Sequence, residues 1–185
     1  MTLGWEESVA NERHKQGKDA DHTVTAIIET PKGSRNKYKC DAERSTFKLA
    51  HVLPAGSVFP FDFGYVPDTL AEDGDPIDVL LLMHEPAFTG CVVETRLLGV
   101  IEAEQTEDDG TVRNDRLIGV ATESELHADL CSLDDVEDQL LKEIEHFFAS
   151  YNALNGKEFK PVARKGPDDA MELVREAEKR AKKKS

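Results

Sequence analysis

The chain has 185 residues, 39% hydrophobic and 32% charged, which is enough for one globular, soluble domain with a sizeable core. Its formal net charge of -14 argues against a general nucleic-acid binder, and an anionic substrate would need metal ions or a local basic pocket to enter. No apolar run approaches a membrane span. Cys40, Cys91 and Cys131 are widely separated with no CxxC pair, and Met1–Lys18 lacks a signal-peptide pattern, so a reducing cytoplasm is expected, with no membrane partner.

Residues 1–21 read as a polar N-terminal arm and 22–185 as a single domain. Thr23–Thr30 is β-branched and reads as a strand, broken by the Pro31–Asn36 turn. Lys37–Asp41 and Thr46–Leu49 form a short hairpin, and Leu53-Pro54-Ala55-Gly56 is a turn. Phe59, Phe61, Phe63 and Tyr65 alternate with smaller or polar residues, as on one buried face of a strand. Val79–Met83 is a buried strand, Gly90–Glu104 a long β-rich run, and Gln105–Gly110 an acidic turn that leads into a strand over Val112–Ala121. The remainder reads as helical. Ser132–Asp135 resembles a capping box before an apolar stripe from Val136 to Leu154, and Gly156 ends that helix. Pro167 opens a second helix that reaches Lys184 and closes on a solvated basic tail. Many short strands followed by helices describe an α+β, mainly β fold, a small barrel with helices packed outside it.

The chemistry concentrates in Asp73-Gly74-Asp75-Pro76-Ile77-Asp78, three aspartates within six residues. Such crowded carboxylates repel one another, and hard divalent cations with oxygen ligands offset that repulsion best. An acidic hairpin tip is the plain alternative. An EF-hand fits poorly, because the twelfth position counted from Asp73 is His84 rather than glutamate. Glu29 and Lys37 sit at the ends of the first strands. Asp115 and Arg116 precede a strand, where a metal ligand with a phosphate clamp and an ordinary surface ion pair are equally open readings. Tyr151 lies on the apolar helical stripe, so its ring reads as core, with a hydroxyl able to reach a pocket at the helix edge. Lys157, Lys160, Arg164 and Lys165 form a basic cluster able to offset an acidic site.

The segment Asp73–Val79 resembles the signature of the soluble family I inorganic pyrophosphatases. Ile28-Glu29-Thr30-Pro31, Asn36-Lys37-Tyr38, Phe59-Pro60, Gly64-Tyr65, Gly99-Val100 and His146-Phe147-Phe148 with Tyr151 follow in that family's order, so the resemblance runs from about Thr23 to Val162. It implies an OB-like five-stranded barrel with flanking helices, and hydrolysis of pyrophosphate to two phosphates with several Mg2+ ions, Mn2+ being the alternative metal. It also implies a homo-oligomer, the family's bacterial members being commonly hexameric. By the same resemblance Asp75 is the general base, Asp73, Asp78, Glu29 and Asp115 belong to the metal sites, and Lys37 and Tyr151 contact phosphate. Another phosphoanhydride as substrate, or a catalytically weak phosphate-binding relative, are the competing expectations.

The resemblance breaks in the substrate pocket. Lys39 stands where the bacterial pattern has glutamate, His51 aligns with its phosphate-binding arginine, Phe59 and Phe63 replace tyrosines, and Asn152 replaces a lysine. Lys39, Lys48, Arg44, Arg113 and Arg116 are the candidates to restore the lost phosphate contacts, each worth roughly 1.5–3 kcal/mol.

Overall fold

The computed structural model describes residues 22–108 and 110–184, so the expected 1–21 arm lies outside the described residues. Among the described residues the strands are β1 (Thr23–Thr30), β2 (Asn36–Asp41), β3 (Thr46–Val52), β4 (Asp62–Tyr65), β5 (Asp78–Leu82), β6 (Val92–Glu107), β7 (Gly110–Arg113), β8 (Arg116–Ala121) and β9 (Glu158–Lys165). The long helices are α1 (Asp138–Leu154) and α2 (Pro167–Lys184).

Five of these strands close on themselves. β1 pairs with β4, β4 with β5, β5 with β8, β8 with β6, and β6 returns to β1. β5 and β8 run parallel, while the other four pairings are antiparallel. The length of β6 makes the closure possible. Its first half pairs with β1 and β8, and its second half carries β7 and β9. β2 and β3 form a separate two-stranded sheet.

β5 shows why its sequence is an unbroken apolar run. Val79 and Leu81 join the apolar cluster that contains Ala170, Val174 and Ala177 of α2. Leu80 and Leu82 join the cluster that contains Leu141, Ile144 and Phe148 of α1. A strand buried on both faces needs no polar alternation. The α2 contacts recur at i, i+4 and i+7, one helical face, and two of the three are alanines that let the helix approach closely.

Three sequence expectations change. The remainder after Ala121 is not all helical, because residues 158–165 form β9 against β6. Pro161 is accommodated there because it sits beside a register shift of the ladder, the place in a sheet where a missing N–H costs least. The single strand expected over 112–121 is two, β7 and β8, separated at Asn114 and Asp115. The Ser132–Asp135 capping box is present, but it closes a separate one-turn 3-10 helix, Leu133–Asp135, and α1 starts at Asp138.

Candidate active site

A cavity of about 430 Å³ opens beside the closed ring, bounded by the β2–β3 hairpin, the 73–78 loop and the end of α1. It gathers Glu29, Lys37, Asp73, Asp75, Asp78 and Tyr151, residues separated by more than a hundred positions in the chain.

Glu29, near the end of β1, is buried and bridges to the hairpin. Its Oε2 accepts from Lys37 Nζ at 2.9 Å and its Oε1 from the Cys40 N–H at 2.7 Å. Lys37 Nζ also lies 3.9 Å from the centroid of the Phe63 ring. Burial pushes the Lys37 ammonium below its ordinary pKa, against the raising pull of Glu29 and Asp78. Phe59 and Phe63 are buried among the aromatic rings of α1, Phe59 against Phe147 and Tyr151, Phe63 against Phe148. They form the floor of the cavity rather than free faces for a stacked base.

The acidic loop is held from both ends. Gly74 takes φ +89, a left-handed conformation that favours glycine, and the Asp75 N–H donates to Asp73 Oδ1 at 3.1 Å. Thr69 Oγ1 donates to Val66 O and accepts from the Ile77 N–H. Arg180 of α2, within the tail expected to be solvated, donates to Leu70 O at 2.8 Å and fixes the approach to the loop.

Asp78 opens β5 and Arg116 opens β8. Because these strands are parallel and Val79 faces Leu117, both strand starts fall at the same edge, and Arg116 reaches Asp78 Oδ2 at 2.9 Å. Arg116 also donates to Asn114 Oδ1, Asn114 O and Asp115 O, and its guanidinium carbon lies 5.1 Å from the Phe148 ring centroid. Burial raises the carboxyl pKa of both Asp73 and Asp78, and for Asp78 the nearby Arg116 and Lys37 charges oppose that rise. Burial also raises the Tyr151 phenol, reinforced by the charge of Asp78, so the hydroxyl stays protonated as a donor.

Six of the seven expected site residues therefore line one cavity. Asp115 does not. Its Oδ1 accepts from the Ala103 N–H at 3.0 Å and its Oδ2 from Arg113 Nε at 2.7 Å. This carboxylate joins β8 to β6 on another face, beside Ala71, Leu173 and Arg180. At the cavity the neighbouring positions are the amides Gln105 and Asn114, bonded to each other at 2.9 Å.

Among the cationic candidates the structure also discriminates. Arg44 and Lys48 are drawn to Asp41, and Arg113 to Glu102 and Asp115, while Lys39 and Arg116 line the cavity. Of the 157–165 basic cluster only Lys157 reaches it, whereas Arg164 binds Glu145 and Asp138. Cys40 and Gln105 also line the cavity without any functional signal in the sequence, and Tyr65 of the aromatic run lines it too.

The donor set suits hard cations, since the carboxylates are oxygen ligands facing one cavity. Among the described residues, no three His, Cys, Asp or Glu side chains converge on one metal-sized point. Ions that keep most of their waters and take one or two carboxylates each fit this spacing, and a dehydrated protein cage does not.

A closed ring of strands carrying carboxylates and buried cations around one cavity defines a hydrolase-type site for a small, highly charged anion. The inorganic pyrophosphatase family model matches residues 26–182. The inorganic pyrophosphatase of Geobacillus stearothermophilus is 41% identical over 154 residues, 83% of this chain and 90% of that protein. That of Thermus thermophilus is 40% identical over 162 residues, covering 86% and 90%. The crystal structure of a Thermus thermophilus inorganic pyrophosphatase superposes with a TM-score of 0.80 at 38% identity, covering 87% of this chain and 92% of that one. A Helicobacter pylori inorganic pyrophosphatase structure gives 0.80 at 30%, covering 88% and 95%. The chain belongs to the inorganic pyrophosphatase family, a family of metal-dependent hydrolases.

Proposed function

We propose that the cavity hydrolyses inorganic pyrophosphate to two phosphates, with Asp75 as general base. The observation that carries this reading is the meeting of Glu29, Asp73, Asp75 and Asp78 with Lys37, Arg116 and Tyr151 in one cavity of a chain of this family. Asp73, Asp78 and Glu29 are the residues to hold divalent cations, Mg2+ first and Mn2+ as the alternative. Bound there, such ions neutralise phosphate charge and lower the pKa of a water. Lys37 and Tyr151 donate to phosphate oxygens and orient the anhydride. Asp75, exposed at the mouth, accepts the proton as the water oxygen bonds to phosphorus. The bridging P–O bond then breaks, and its electron pair leaves with the second phosphate.

A homo-oligomer, with the hexamer as the assembly to test, and a cytoplasmic setting belong to the same proposal. Exposed Phe88 and Val92 on the surface and three free cysteines support them. Sedimentation velocity tests the assembly.

The deciding experiment is phosphate release from pyrophosphate with millimolar Mg2+, with and without EDTA, for wild type and Asp75→Asn. Release abolished by EDTA and reduced roughly 100-fold or more in the variant is expected, the range for loss of a general base. Nucleoside triphosphate cleavage in place of pyrophosphate cleavage would move the substrate, and an unchanged rate in Asp75→Asn would remove that residue from the chemistry.

A further inference from the structure

Four cations line the cavity; Lys157 pairs with Glu107 outside the carboxylate cluster, and the other three each take one of the clustered carboxylates in pairs that differ in a way that separates their roles. Lys37 with Glu29 is closed off, the two side chains 11% and 8% exposed at 2.9 Å. Arg116 with Asp78 is nearly so, 6% and 23% exposed, and the guanidinium is tied further to Asn114 and Asp115. Lys39 with Asp75 is open, 46% and 54% exposed, at 2.6 Å. Among the described residues the Lys39 ammonium has no other hydrogen-bond partner, and it stands two residues beyond Lys37 on the same face of β2, inside the same cavity. Closed pairs set the geometry. An open pair of this kind contributes little to stability and exchanges readily for stronger partners.

We propose that Lys39 is a substrate-binding residue which, at rest, is latched onto Asp75 and which transfers to a phosphate oxygen of the incoming diphosphate, leaving Asp75 free to take a proton. The inference rests on the pyrophosphatase reading of the site. Both partners gain in the exchange. Lys39 trades one carboxylate for a polyanion that its three N–H donors can share, and Asp75 acquires divalent cations and water as neighbours in place of an ammonium. The Asp75 carboxylate is thus charge-paired in the resting site and released from that pair when substrate binds. Lys39 thereby restores one of the cationic contacts that His51 and Asn152 do not supply. Asn152 spends its amide N–H on Phe148 O of its own helix.

The test uses the full chain and methylenediphosphonate, which is not hydrolysed, as the calorimetric probe with Mg2+, alongside steady-state turnover of pyrophosphate. Lys39→Met and Lys39→Gln are expected to weaken diphosphonate binding by about tenfold, equivalent to about 1.4 kcal/mol. They should raise KM to match while kcat stays within about threefold, and Lys39→Arg should recover most of the loss. Asp75→Asn, which strips the latch, should bind diphosphonate more tightly than wild type. A role in propping the loop alone would lower kcat and thermal stability without moving the binding constant. Lys39→Met and Lys39→Gln that bind within twofold of wild type would overturn the proposal while leaving the hydrolysis reading intact. Lys39-dependent binding in a wild type that releases no phosphate would do the reverse. A wild type that binds no diphosphonate overturns both.

Discussion

Asp62 is a carboxylate with no exposure to solvent. Its Oδ1 accepts from the Lys32 and Ala87 N–H groups at 3.2 and 3.1 Å, and its Oδ2 has no hydrogen-bond partner among the described residues. Burial raises its pKa, only partly offset by those two N–H groups. A carboxyl whose folded pKa lies above its unfolded value binds more protons when folded, so its contribution to stability falls as pH rises from the unfolded value through the raised one and stays low at neutral pH. Asp62→Asn keeps the accepting oxygen and removes the buried charge. It should be more stable than wild type by about 1 kcal/mol in urea near neutral pH, with the gap closing as pH falls through the raised value and gone by about pH 4, the unfolded value. A gap that does not depend on pH would exclude the carboxylate as its source. Arg116 illustrates the opposite case. Arg116→Ala leaves Asp78 facing the cavity without its partner and should cost about 3 kcal/mol in the same assay, with loss of pyrophosphatase turnover. None of this was visible in composition. Asp73, Asp75 and Asp78 were legible because three carboxylates crowd one turn, whereas Asp115 and Lys39 look equally plausible as letters. Only the direction in which each side chain is spent, Asp115 on Ala103 and Arg113, Lys39 on Asp75, separates structural residue from site residue.

At the scale of elements, the site depends on how closely β1 and β4 approach. A Cβ placed on Gly64 would lie 2.1 Å from Ile27 O, which is backbone and cannot swing aside. Gly64→Ala must therefore push β1 away from β4, and Glu29 follows two residues after Ile27 on the strand that moves. The expected result is destabilisation of about 3 kcal/mol, the upper end for forced overpacking, together with a fall in kcat. Near-wild-type urea unfolding and turnover would show that the two strands tolerate a methyl group between them. The strands themselves were mostly legible, because β-branched runs and the apolar 79–82 segment signal β structure locally. β9 was not. Glu-Phe-Lys-Pro-Val-Ala-Arg-Lys alternates weakly, carries a proline and follows a helix, and it becomes a strand only because β6 extends past the ring and offers it an edge. The break between β7 and β8 has a similar origin. Asn114 and Asp115 turn their side chains to Gln105 and to the Ala103 N–H, tertiary partners that no local window contains.

At the scale of the molecule, the formal charge of -14 sets the order in which ligands are welcomed. The field of so acidic a chain repels free pyrophosphate and concentrates divalent cations, so metal loading should be favoured before, or together with, anion entry. The cavity is arranged accordingly. Glu29, Asp73, Asp75 and Asp78 crowd its lining, Lys37, Lys39 and Arg116 are held in pairs with three of them, and Lys157 is paired with Glu107. Exposed charges act over a Debye length of about 30 Å at 0.01 M salt but only about 10 Å at 0.1 M. The Mg2+ concentration giving half-maximal pyrophosphate hydrolysis should therefore rise several-fold when KCl is increased across that range at fixed pH. The Lys39 variants should show the same salt response, since one charge changes little in a field summed over the whole chain. A midpoint that stays constant with salt would mean that the local carboxylates alone recruit the ion and the global charge serves only solubility. A midpoint that falls with salt would mean that repulsion of pyrophosphate, rather than attraction of metal, limits the reaction at low ionic strength.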